Sequence, residues 1–186
     1  MSGSKKRWTR GASLLGLAMI AVSGAAAQEV SVLKGHETGQ PIDVVADRLE
    51  VRDKENIAIF RGDVEATQGE MVFKADTITV YYETVEGVTN PTIARLDVAG
   101  HVRLLSPSES AEADWGVYDV KRRLVTLGGA VTLERGGTVI RGQRIELDLR
   151  TGITKFEGSG RDRREAGKGR VRGQFKLPEE KKNDPQ

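Results

Sequence analysis

The sequence predicts an all-β protein, a folded, jelly-roll-like sheet that is extended rather than closed and is built from internal repeats. Three observations carry that expectation. From Ile42 onward the chain is rich in Val, Ile, Thr, Leu and Tyr, in short runs broken by Gly, Asn, Asp and Pro, which is the composition of strands and turns. No window offers an apolar helical stripe ten residues long. The chain also repeats on itself. A shift of 67 residues lays ADRLEV at 46–51 over ADWGVY at 113–118, and Phe60-Arg61-Gly62-Asp63-Val64 over Leu127-Gly128-Gly129-Ala130-Val131, without a gap. A repeat of this size means stacked supersecondary units that bury their apolar faces only against neighbours.

A finer repeat lies inside the first. An apolar residue, any residue, Gly, any residue and Val recur at Phe60–Val64, Val98–Val102 and Leu127–Val131, and Phe156-Glu157-Gly158 starts a fourth copy that lacks its Val. Read with period 2, the first strand places Phe60, Gly62 and Val64 on one face. The second places Leu96, Val98, Gly100, Val102 and Leu104 there, and the third Val125, Leu127, Gly129 and Val131. The opposite faces are mixed, with Arg61, Asp63, Glu65, Asp97, His101 and Arg103. These are strands with one wet side.

Ala-Asp pairs at 46, 75 and 113, with Gly142-Gln143 as a degenerate fourth, mark a second kind of strand. Phe73 and Ala75 share a face, but Ile78 and Val80 then take the alternate one; Ile140 and Gly142 are followed by Ile145 and Leu147 in the same way. A strand that switches its buried parity at a small residue must bulge or bend there. Repeated bends let each strand serve two sheet layers. The extended sheet then has two free edges with unpaired N–H and C=O groups, able to pair with another chain.

The apolar face so defined is either plain core or a lipid-facing trough. Its candidate residues are Phe60, Val64, Ile78 and Val80 in the first half, Leu96, Val98, Val102 and Leu104 in the middle, and Val125, Leu127, Val131, Ile145 and Leu147 beyond. The glycines at the centre of each apolar face weaken a strand. Room for a bound chain would explain them, and so would tight sheet curvature.

The flanks differ from this body. Lys5, Lys6, Arg7 and Arg10 precede an apolar stretch from Ala12 to Val22, and Ala25-Ala26-Ala27 follows. This is a signal-peptide pattern over residues 1–27, with cleavage expected between Ala27 and Gln28 and export of the mature chain. A retained anchor needs roughly 20 apolar residues, about twice the strongly apolar stretch present. Residues 28–41 read as a lead-in, 42–160 as the β domain, and 161–186 as a charged, disordered tail. The domain is acidic and the tail basic: residues 28–160 hold 16 Lys+Arg against 22 Asp+Glu, residues 161–186 nine against five. The +2 of the whole chain therefore describes no surface and gives no case for nucleic-acid binding. The tail's Arg and Lys residues are candidates for contact with phosphate groups or anionic lipid.

Little suggests an enzyme. There are no cysteines, hence no disulfides, thiolate metal sites or thiol nucleophiles. His36 and His101 lie far apart without an evident ligand partner, so no metal or cofactor is expected. Asp47, Asp76 and Asp114 recur in register with the repeat, as structural carboxylates that accept backbone N–H bonds at turns or bulges should. Gly128-Gly129 and Gly136-Gly137 precede no helix and make no phosphate cradle. Trp115, Tyr81, Tyr82 and Tyr118 read as packing residues.

The repeated AD-x-x-x-V and F-x-G-x-V units behind a signal peptide resemble the OstA-like family, through ADRLEV, FRGDVEATQG, KADTITVYY, VAGHVRLL and LGGAVTLERG. The resemblance covers about residues 42–158. It implies a twisted, V-shaped, antiparallel β jelly-roll whose apolar trough shelters acyl chains of lipopolysaccharide, with no catalytic residues. It also implies head-to-tail stacking of edge strands, possible between copies of the chain, that continues the trough from an LptC-like inner-membrane protein to an LptD-like outer-membrane protein. A membrane-anchored relative of the same fold and a secreted structural or carbohydrate-binding β-repeat protein are the competing readings.

Overall fold

The computed structural model describes residues 36, 39–83, 91–159 and 169–176. The expected signal peptide, its cleavage point at Ala27 and Gln28, and most of the loop expected at Glu86–Pro91 lie outside them. The described residues form ten strands: β1 (Asp43–Val45), β2 (Arg48–Arg52), β3 (Ile57–Gln68), β4 (Met71–Glu83), β5 (Thr92–Leu105), β6 (Glu109–Asp119), β7 (Leu124–Arg135), β8 (Thr138–Asp148), β9 (Ile153–Glu157) and β10 (Arg172–Gln174). Their helical content is one 3-10 turn at Asp53–Glu55.

All ten belong to one antiparallel sheet in which β3 to β8 pair in sequence order. The sheet does not close. β1 and β2 both lie on β3 at one edge, and β9 and β10 both lie on β8 at the other. The all-β, open-ended, antiparallel architecture expected from sequence is the one observed.

Every long strand is interrupted at one level. Register shifts fall between Arg61 and Val64, Lys74 and Thr77, Ala99 and Val102, Glu112 and Trp115, and Gly128 and Val131. These are the Gly and Ala-Asp positions of the repeat, aligned in a row across the sheet. The row divides the sheet into two walls. The first holds 64–68, 71–75, 102–105, 109–113, 131–135 and 138–142; the second holds 57–61, 77–83, 92–99, 115–119, 124–128 and 144–148. The parity switch seen in the sequence is this row, and it keeps apolar residues on the inner face of both walls.

The row also explains the glycines. Gly62, Gly100 and Gly129 have φ of +84°, +79° and +97°, a region nearly closed to side chains. Each also faces an aspartate, on the neighbouring strand for Gly100 and Gly129 and in the β1–β2 link for Gly62. A Cβ on Gly62, Gly100 or Gly129 would lie within 2.3 Å of Oδ2 of Asp47, Asp76 or Asp114 respectively. Asp114 Oδ2 accepts the Ala130 N–H at 3.1 Å, and Asp76 Oδ2 meets His101 Nδ1 at 2.9 Å. Curvature and a carboxylate seat, rather than space for a ligand, account for these residues.

Part of the segment read as a disordered tail belongs to the sheet. Arg172–Gln174 pair with Arg141, Ile140 and Val139, so the sheet does not stop at residue 160. Val171, Gly173 and Phe175 alternate with Arg172 and Gln174, a short period-2 pattern that the charge of its surroundings masks.

Gly129→Ala should lower stability by about 1–3 kcal/mol, the range for a side chain forced into such a backbone conformation. Gly39→Ala, whose Cβ would meet nothing within 4 Å, should change it little. Urea denaturation of both variants checks the contrast.

Candidate lipid-binding interior

Two apolar rows run across the second wall. One reads Leu49, Phe60, Ile78, Val98, Gly116, Leu127, Ile145 and Phe156; the other reads Val51, Ala58, Val80, Leu96, Tyr118, Val125, Leu147 and Thr154. Opposite them, the first wall presents Val64, Ala66, Phe73, Val102, Leu104, Val131 and Leu133. The sequence candidates therefore share one interior. Ile78, Val80, Leu96, Val98, Val102, Leu104, Val125, Leu127, Val131, Ile145, Leu147 and Val64 are all buried, and Phe60 is half-buried beside them. Each fully buried Val, Leu or Ile contributes about 1.5–3 kcal/mol of transfer free energy.

The walls touch. The rings of Phe73 in β4 and Tyr118 in β6 stack with centroids 6.0 Å apart. A crevice bounded by Ile42, Met71, Phe73, Leu96 and Tyr118 lies between the walls and is too narrow for a water molecule. Two polar contacts tie the walls together where the strands end, away from the bulge row. The buried Tyr118 hydroxyl donates to Gln68 Oε1 at 2.8 Å, and Gln68 Nε2 donates to the Gln40 carbonyl at 2.9 Å. Arg135 donates through Nε to Glu109 Oε2 at 2.7 Å and through Nη2 to Thr154 Oγ1 at 3.4 Å. The Glu109 side chain is only 2% exposed. Burial pushes the Tyr118 phenol up to about 12, because the phenolate would be the ion stripped of water.

The sequence candidates did not include these ties. Gln68 and Tyr118 are 50 residues apart and Arg135 and Glu109 are 26 apart, and no local pattern joins such residues. Among the described residues no group of three His, Asp or Glu converges as a metal site. His36 instead meets Gln68 at 3.1 Å.

The ends of the interior are not covered. Leu49 and Val51 of β2 continue the two inner rows, yet they are 57% and 53% exposed. Phe60 at that end and Phe156 at the other are half-buried. Buried in its middle and open at both ends, the structure defines an open β jelly-roll built around an apolar interior.

Comparison with known proteins agrees. The family model for the LptA/(LptD N-terminal domain) LPS transport protein matches residues 43–153. An uncharacterized protein of Rhizobium meliloti (strain 1021) is 32% identical over 152 residues, covering 78% of this chain and 82% of that protein. The lipopolysaccharide export system protein LptH of Pseudomonas aeruginosa is 28% identical over 124 residues, 61% of this chain and 66% of LptH. The crystal structure of LptH, described as the LptA homologous periplasmic component of the conserved lipopolysaccharide transport device of that organism, has the same fold. Its TM-score is 0.65 at 21% identity, over 76% of this chain and 99% of that one. The chain belongs to the LptA/(LptD N-terminal domain) LPS transport protein family, a family of transport proteins and not of enzymes.

Tyr118→Phe should lower stability by about 1 kcal/mol at neutral pH, the worth of one buried hydrogen bond. The neutral phenol is favoured in the folded state, so the stability it contributes is present below pH 10 and lost as pH rises toward about 12. Denaturation across that window should show a steeper alkaline loss in the parent chain than in the variant. Arg135→Met strips the buried Glu109 carboxylate of its guanidinium contact and should lower stability by about 1–3 kcal/mol, the worth of a hydrogen bond to a charged group, in the same assay.

Proposed function

We propose that this chain is a periplasmic bridge that shelters lipopolysaccharide acyl chains in its interior and passes them from the inner toward the outer membrane. The observation that carries the reading is the inner row from Leu49 to Phe156, which crosses the sheet and emerges at both of its open edges, with a second apolar row from Val51 to Leu147 beside it. Family membership supports it. On this reading the proposed trough is the interior lined by Phe60, Ile78, Val98, Leu127 and Ile145. The partners are lipopolysaccharide, an LptC-like inner-membrane protein at one edge, an LptD-like outer-membrane protein at the other, and further copies of the chain between them.

The physics is that of transfer. Each acyl methylene left in water costs roughly 0.8 kcal/mol, so a long chain needs continuous cover. An acyl chain enters by parting the two walls, exchanging wall-to-wall contacts for contacts with itself. Because hydrophobic burial is non-directional, the chain can slide along the rows without a deep trap. The Tyr118–Gln68 and Arg135–Thr154 ties are the contacts such parting must release.

A photocrosslinking side chain placed at Phe60 or Leu127, on the inner face, should capture lipopolysaccharide in cells. The same group at Glu112, exposed on the outer face, should not. Equal capture from both faces, or none from the inner one, would overturn the proposal.

A further inference from the structure

We propose that the outer side of the bend carries a saccharide-binding site, built from Trp115 and the cleft beside it, which takes the hexopyranose rings of a neutral oligosaccharide. The site lies on the face away from the apolar interior. It therefore goes beyond the bridge reading and does not depend on it.

The repeat is the starting point. Residues that the bend needs recur from copy to copy, as Asp47, Asp76 and Asp114 do. On the outer face the copies differ. The residue after the aspartate is Arg48, Thr77 and then Trp115. The residue before the bulge glycine is Arg61, Ala99 and then Gly128, and the residue after it is Asp63, His101 and then Ala130. A large aromatic ring, an imidazole and three small residues thus gather where β5, β6 and β7 bend.

Trp115 stands between two of the small residues, with Ala99 in β5 and Gly128 in β7 as its register partners. Its ring lies over Gly128, where a Cβ would come 2.1 Å from Cζ2 and 2.4 Å from Cε2. Such cover shields a strand glycine, yet Trp115 remains 41% exposed. Among the described residues of β3 to β8 it is the one exposed large apolar side chain; the others lie on edge strands or just outside them. The fold buries its other large apolar groups in these strands and leaves this one as an open plate.

On the first-wall side of the bend is a cleft of about 580 Å³ whose rim carries His101, Arg103, Glu112, Asp114 and Ala130, within the size range of small-ligand sites. His101 is held at φ +46°, a costly backbone conformation of the kind found at ligand clamps. Its Nδ1 lies 2.9 Å from Asp76 Oδ2. Arg103 Nε lies 3.6 Å from Glu112 Oε1, and Asp114 Oδ2 accepts the Ala130 N–H at 3.1 Å.

This pattern selects the ligand. An anion would meet the carboxylates of Asp76, Glu112 and Asp114. A cation would meet carboxylates already engaged by His101, Arg103 and the Ala130 N–H. What the rim offers is the second oxygen of each carboxylate and the remaining N–H groups of Arg103, acceptors and donors side by side. Sugar hydroxyls are donor and acceptor at once and satisfy both. The C–H face of the ring then has the Trp115 plate to cover.

Trp8 is the only other tryptophan, so in the full-length Trp8→Phe chain the emission reports on Trp115. Titration with neutral trisaccharides of glucose, galactose, mannose and N-acetylglucosamine to about 10 mM should give a saturable shift with at least one of them. The acyl-free saccharide of lipopolysaccharide is titrated as a further arm. A response to it identifies that molecule as the source of the rings, a response to a trisaccharide alone identifies another glycan, and either upholds the site. Ala130→Leu, which fills the cleft while keeping the Ala130 N–H contact to Asp114, should weaken the response several-fold. By calorimetry Trp115→Ala should lose about tenfold in affinity, the scale of one aromatic contact, while Trp115→Phe keeps most of it; urea denaturation checks that the variants fold. No saturable response to any saccharide, an undiminished response in Ala130→Leu, or tighter binding of spermine than of any sugar would overturn the assignment.

Discussion

An aspartate carboxylate set against a positive-φ glycine on the next strand is the contact on which the rest of this structure depends. It occurs at Asp47–Gly62, Asp76–Gly100 and Asp114–Gly129, always at the same level of the sheet. At each place the strand gains a residue, bends and changes which parity of side chain faces inward. Without that row, six long strands would make a flat sheet with one apolar face open to water. With it, the sheet folds along a line and its two inner faces cover each other. The repeat in the sequence is therefore a repeat of bends, and the apolar residues around each bend are placed by it.

The folded sheet solves one problem and leaves another. Its middle is buried to within a few percent, as at Ile78, Leu127 and Ile145, but a sheet that does not close has edges. Natural sheets usually blunt edges with charge, proline or a covering element. Here the edge strands are short, exposed and split; Leu49 and Val51 stay uncovered on one of them, and Phe175 just beyond the end of β10. That arrangement suits a protein whose interior continues into a neighbour. The filled interior supplies the stability, and the same rows stay uncovered where they reach the edges.

The polar ties between the walls qualify the picture of a purely greasy interior. Tyr118 with Gln68, and Arg135 with Glu109 and Thr154, place hydrogen bonds where the strands end. Such contacts are directional and have partners to lose, whereas the apolar contacts behind them exchange freely. They hold the walls in one relative position while the core alone would tolerate several.

Much of this was legible in the chain itself. The all-β class, the parity switch at each Ala-Asp pair, the shared apolar face and the structural role of the recurrent aspartates all follow from period-2 patterning and a repeat of fixed spacing, which are local. The glycines were legible as special but not as to reason, since room for a ligand and a bent backbone leave the same residue. β10 stayed hidden because three strand residues within a basic stretch carry too little pattern to outweigh their composition. The wall-to-wall ties stayed hidden because residues 50 apart in sequence become neighbours only once the sheet has folded. By itself the sequence determined which residues face inward and where each strand bends, because alternation and backbone sterics act over a few residues. Only the tertiary structure decided which inward residues meet, which edges stay open and that the tail returns to complete one of them, because those depend on distances set by the whole folded sheet.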